Sequence, residues 1–230
     1  MIALTELEQE ALTLSLRVAV WAVATGLPAA LAVAWLLARR EFPGKTLLNG
    51  VVHLPLVLPP VVVGYLLLLT FGRQGPVGGW LDESLGVTIA FTWQGAALAA
   101  AVMAFPLMVR AIRLSLEAVD TRLESAARTL GAGRLEVFVT ITLPLTAPGL
   151  LAGAILGFAR SLGEFGATIT FVSNIPGETR TLPLALYSLV QQPDGESGAL
   201  RMAAISVVLA LVALAASELL ARRVKARIAG

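Results

Sequence analysis

The sequence predicts an all-α integral membrane protein with five transmembrane helices and a pair of short cytoplasmic helices, folded as one domain over residues 1–230. Three observations carry this. The chain is 57% hydrophobic and only 14% charged, with a mean hydropathy of +0.83, which is too little charge to cover a soluble domain of this size. Apolar stretches occur at 18–38, 46–72, 86–109, 137–159 and 202–217, and the first four run for 20 residues or more without a charge. That is the length a helix needs to cross a hydrocarbon core of roughly 30 Å. The third observation is the placement of the basic residues. Of 17 Lys and Arg, 12 fall after the first stretch (Arg39, Arg40, Lys45), after the third (Arg110, Arg113, Arg122, Arg128, Arg134) and in the tail (Arg222, Arg223, Lys225, Arg227). The intervening loops hold few. The positive-inside rule then puts the N-terminus outside and the C-terminus in the cytoplasm.

The spans are placed at about 12–38, 46–72, 86–113, 144–172 and 199–222, with a cytoplasmic loop at about 117–143. Before the first span, Glu6, Glu8 and Glu10 stand where a signal peptide carries positive charge, so no cleaved leader is expected. The second span contains Pro55, Pro59 and Pro60, which remove backbone donors and kink a helix. They are read equally as a gate hinge or as fixed kinks at a subunit interface. His53 beside them is read as a satisfied polar residue. In the fourth span the run 160–171, RSLGEFGATITF, sets Glu164 between two glycines and predicts a second irregular place. Residues 181–192 are apolar but too short to cross, and are read as a re-entrant or surface-lying helix on the outer side. The basic tail residues are expected to face lipid headgroups.

Several function classes are excluded by what the chain lacks. It has no Cys and one His, so no thiolate or conventional multi-histidine metal site is expected. No G-x-x-x-x-G-K-[ST], H-E-x-x-H or G-x-S-x-G occurs. The chain is therefore read as a transport component and not an enzyme, with no cofactor of its own and no nucleic-acid partner. A stand-alone secondary transporter would show internal repeats and paired ionisable groups at mid-membrane, and neither is visible.

The polar loop is the informative segment. Residues 124–144, ESAARTLGAGRLEVFVTITLP, combine charge, small residues and two glycines between apolar runs. Thr121 and Glu124 fit a capping box at a helix start, and Glu124 is one turn ahead of Arg128, the favourable order. Leu123, Ala127 and Leu130 fall on one face. Gly131 stands where a helix would end, and a second helix is predicted from Arg134 to Ile141. Two uses fit this hairpin: a capped turn that only reverses the chain, or a corner of small residues that another protein's backbone approaches closely.

The residues alone leave the two even, and a resemblance carried by the whole pattern favours the second. Ser125-Ala126-Ala127, three residues, Gly131, nine residues, then Ile141-Thr142-Leu143-Pro144 resembles the EAA loop of importer-type ABC transporter permeases. The departure is Ser125 where the family has Glu, with Glu124 one place earlier and so rotated by about 100° on a helix. Beyond the loop, the stretches at 42–68, 105–120 and 158–187 look like permeases of the molybdate type, the run NIPGETRT being the feature that points there. Sulfate/thiosulfate and tungstate permeases are the nearest alternatives.

The resemblance implies the fold of an importer-type ABC permease core, with Glu124, Ser125, Ala126, Ala127, Gly131, Ile141, Leu143 and Pro144 forming a coupling loop docked on an ATPase. It also implies that the chain pairs with a second copy of itself in the inner membrane and binds two ATP-binding cassette subunits, which hold ATP and magnesium. By the same likeness, an external molybdate-binding protein would deliver the substrate.

Pathway or gate candidates are Ser161, Gly163, Glu164, Gly166, Thr168, Thr170 and Ser173. A carboxylate would repel a dianion, so Glu164 is expected to pair or cap locally, with Arg160 its candidate partner. A helix restarting at Gly163–Gly166 would offer free N–H groups to a dianion, and the hydroxyls could do the same. The competing reading is that the hydroxyls bond to backbone carbonyls in a packed helix.

Overall fold

A computed structural model describes residues 4–229, except the side chains of residue 214 and of 217–229. The expected headgroup contacts of Arg222, Arg223, Lys225 and Arg227 thus lie outside the described residues. The chain is all-α, with no strand among the described residues.

Helix α1 (Glu6–Arg39) starts with a capping box in which Thr5 and Glu8 satisfy each other's backbone N–H groups. Helices α2 (Lys45–Val57) and α3 (Pro60–Phe71) replace the expected second crossing and are bent by 115°. The prolines explain the break: Pro59 and Pro60 donate no hydrogen bond, and Pro60 is tolerated at the first position of α3, where that donor is spare. Helix α4 (Pro76–Leu85) is short. Helix α5 (Trp93–Ala118) begins seven residues later than the expected span. Gly86 and Phe91 take positive φ, and Thr92 caps the start by accepting from Gly95 N.

Helices α6 (Thr121–Thr129) and α7 (Arg134–Val137) make the corner. One π-helical turn, Phe138–Thr142, then runs into α8 (Leu143–Leu162). Pro144 has no N–H to offer the preceding turn, and its ring crowds the carbonyl four residues back, so the helix widens just before it. Helix α9 (Gly166–Val172) follows a break, then α10 (Leu182–Val190) and α11 (Glu196–Ala229). Among the described residues, four helices are long and apolar enough to cross a membrane, and the bent α2–α3 pair, taken as one span, would make a fifth.

Helix α5 is the axis. Its alanines pack against α1, α3 and α9, and Met108, Val109, Ile112 and Leu116 pack against α1 and α2. A stripe of glycines on α8 lets α5 come close: a Cβ on Gly157 would lie 2.8 Å from Met108 Sδ, and one on Gly153 3.3 Å from the Met108 carbonyl. Where lipid and core are equally apolar, such close backbone packing is what associates helices. At the end away from the corner, Ser15 of α1 accepts from Leu182 N at 2.7 Å, and Glu8 pairs with Arg201 at 2.8 Å.

Candidate functional site

The corner is built from its caps outward. The helix start is Asp120 and not Thr121: Asp120 Oδ1 accepts from Arg122 N at 2.9 Å, so the expected Thr121–Glu124 box does not form. An Asp one residue earlier is the better cap and takes the position. Ser125 Oγ turns back to the Thr121 carbonyl at 3.0 Å. The helix ends in a Schellman motif. Gly131, at φ +94°, donates to Arg128 O at 3.0 Å, and Ala132 N donates to Ala127 O at 3.1 Å. The positive φ is why glycine stands there. The second helix is shorter than the predicted Arg134–Ile141, because Phe138–Thr142 forms the π turn.

None of α6 is buried. Along the corner, several apolar side chains are left open: Leu130, which closes α6, is 89% exposed, and Leu123 of α6, Leu135 of α7 and Val139 of the π turn are exposed as well. Ala126 and Gly131 are exposed, and Ala127 half-buried. A Cβ on Gly131 or Gly133 would meet nothing within 4 Å. Ile141 and Leu143 are half-buried at the start of the long helix, and Pro144 is exposed. Neither Leu135 nor Val139 was singled out from the sequence. A hydrophobic side chain in a charged loop was the available signal.

Glu124 does not pair with Arg128 as the helix spacing suggested. Its Oε1 accepts from Arg39 Nη2 at 3.0 Å and from Thr142 Oγ1 at 2.8 Å. Nothing local predicts a partner 85 residues away.

The second candidate region is the α8–α9 break. Glu164 is buried there, with Oε2 2.6 Å from Arg160 Nη1 and Oε1 accepting from Ala167 N at 2.8 Å. It pairs and caps, as its spacing from Arg160 suggested. Of the anticipated cradle at 163–166, the Gly163 and Glu164 N–H groups turn to the Ser161 carbonyl, and the Glu164 carboxylate takes the next free donor, Ala167 N. Ser161 donates to Gly157 O at 2.8 Å and Thr170 to Gly166 O at 2.9 Å. A hydroxyl whose proton is committed to a carbonyl can accept but cannot hold an anion. Thr168 is buried, Gly163 is exposed, and Ser173 is exposed with φ +65°, a strained value for a residue other than glycine.

The two broken helices meet. A Cβ on Gly166 would lie 2.8 Å from Pro60 Cβ, and one on Gly64 2.9 Å from Ala167 Cα. His53 Nδ1 lies 2.8 Å from the Asn49 carbonyl, a local satisfied contact. Among the described residues no group of three His, Cys, Asp or Glu could hold a metal ion.

Known proteins share this architecture. The chain is 65% identical over 219 residues to the molybdenum transport system permease protein ModB of Escherichia coli K12, covering 95% of this chain and 96% of that protein. It is 57% identical over 222 residues to the ModB of Haemophilus influenzae, covering 96% and 97%. In fold it is similar to a bacterial ABC transporter involved in the import of alginate, with a TM-score of 0.75 at 18% identity over 96% of this chain and 80% of that one. The model of the binding-protein-dependent transport system inner membrane component family matches residues 26–226. The chain belongs to that family.

Proposed function

We propose that this chain is the permease subunit of an ABC importer for molybdate, working as a pair of identical subunits with two ATPase subunits and an external binding protein. The corner at 120–144 is the observation that carries it. A helix with no buried residue presents Leu130 to the outside beside glycines with open space around them, at the spacing seen in permease coupling loops. The substrate follows from the full-length likeness to permeases named for molybdenum transport. In this reading the corner faces the cytoplasm, ATP and magnesium stay on the partner ATPase, and the N-terminus lies outside.

The pathway runs past the paired breaks, where α3 and α9 abut through Gly64, Gly166 and Pro60. The Glu164–Arg160 pair leaves no net charge there to repel a dianion. Selection of the oxyanion then falls mainly to the binding protein, and the permease supplies a low-affinity route. The test is uptake of labelled molybdate into proteoliposomes holding permease, ATPase and binding protein, with sulfate and tungstate as competitors. Uptake that requires ATP and resists excess sulfate is expected. Uptake without ATP would sink the importer reading, and equal competition by sulfate would sink the molybdate assignment.

A further inference from the structure

We propose that Glu124 is a positioning residue for coupling. Its carboxylate latches the corner both to the end of α1, through Arg39, and to the start of the long α7–α8 helix, through Thr142. A push on the corner is then passed to two spans at once. This rests on the reading of the corner as an ATPase dock.

The geometry argues for an inward role. Glu124 Oε1 takes both hydrogen bonds, at 3.0 Å from Arg39 and 2.8 Å from Thr142. The Glu124 and Arg39 side chains are each only 14% exposed, whereas Arg122, Leu123 and Ser125 around them are exposed. The acid is thus occupied and turned from the face a partner would touch. That is the consequence of its standing one residue before the usual acidic position, since one residue rotates a helical side chain by about 100°.

Apolar packing does not hold α6, because none of its residues is buried. A charge-assisted bond between two shielded partners is therefore a main tie between α6 and the bundle. Arg39 depends on it too. Its Nε is buried without a partner among the described residues, so the carboxylate is what compensates the guanidinium. Thr142 ends the π turn and is buried, and its carbonyl accepts from Thr146 Oγ1 at 2.6 Å inside α8. Glu124 thus grips the long helix where its winding changes, a local irregularity of the kind that often marks functional sites.

The experiment uses the reconstituted complex with binding protein and molybdate. It reads ATPase recovered with the permease, hydrolysis rate, and molybdate moved per ATP. Glu124→Gln keeps an acceptor for Thr142 and removes the charge. The expected result is full ATPase recovery with molybdate moved per ATP lowered on the order of ten-fold, a typical size for coupling between sites. The charge swap Arg39→Glu with Glu124→Arg is expected to regain most of the loss, which assigns the effect to the ion pair, while unchanged melting and full ATPase recovery in each variant separate a coupling defect from a structural one. Arg39→Lys, measured beside them, is expected to give an intermediate ratio and keeps the test decisive if one variant fails to fold.

Loss of ATPase from the Glu124→Gln permease would make Glu124 a direct contact and overturn the latch while leaving the dock standing. An unchanged ratio would also overturn it. Leu130→Asp and Gly133→Trp, run in parallel, address the dock itself. If both keep the ATPase and normal uptake, the dock falls and the latch falls with it.

Discussion

Replacing Glu164 separates its two contacts. Glu164→Ala removes the bond to Ala167 N and the pair with Arg160 together. Ala167 is fully buried, so its N–H is left without water or partner, a cost of about 1–3 kcal/mol. Breaking a buried pair costs about 3–5 kcal/mol. The low end applies here, because Arg160 is 27% exposed and can turn its head toward water. The expected total is about 4 kcal/mol. Glu164→Gln keeps a carbonyl oxygen for Ala167 N and loses only the ionic part, about 3 kcal/mol. At roughly 2–4 °C per kcal/mol for a chain of this length, melting should fall by about 12 °C for Ala and about 9 °C for Gln. Thermal unfolding of the detergent-purified permease, followed by the fluorescence of its four Trp, reads this directly. Equal losses in the two variants would refute a role for the Ala167 bond. A Gln variant of normal stability with a many-fold higher KM for uptake would show that the carboxylate serves the pathway and not the break.

Gly64→Ala places a Cβ against the Ala167 backbone, which cannot yield, and is expected to cost about 2 kcal/mol or more and to depress uptake. Gly26→Ala meets only the Cε end of Met108 at 2.7 Å, a flexible tip, and is expected to cost under about 1 kcal/mol; melting of the two variants side by side checks the contrast. Gly133→Trp adds bulk where φ is −69° and space is open, so the permease should melt normally while ATPase recovery is lost. Gly131→Trp is the poorer probe, since its φ of +94° adds backbone strain to the bulk.

The sequence made legible whatever is encoded within a few residues. Apolar length announced the membrane helices, Pro59-Pro60 announced a break, and Arg160 four residues before Glu164 announced their pairing. It misled where two local rules competed. Thr121 and Asp120 both cap helices, and the stronger cap won. Residues 87–91 are apolar enough to extend the third span, but turn chemistry at Gly86, Phe91 and Thr92 holds the helix start back to Trp93. What needed the fold was distance. Arg39 and Glu124 carry no mutual signal in the chain, and the 115° bend of α2–α3 lies where α3 packs on α9, far from it in sequence.

The two breaks solve one problem by different chemistry, and the difference bears on how they move. A helix that starts inside a membrane has backbone donors that lipid cannot satisfy. Helix α3 reduces the need by placing Pro60 at its first position, so one donor is absent. Helix α9 has no proline and uses the Glu164 carboxylate, which brings a charge that Arg160 must balance from the preceding helix. The α3 solution is covalent and cannot come undone. The α9 solution is a set of hydrogen bonds that can exchange partners. Because Gly64 and Gly166 bring the two helices into backbone contact, any separation must open that contact. The break after Leu162, held only by exchangeable bonds, follows the helix whose other end Glu124 contacts through Thr142. The corner and the Glu164 break thus lie just beyond opposite ends of one continuous 29-residue helical segment, Arg134–Leu162, so a displacement at one end, if the corner is the proposed dock, bears on the other through that helix.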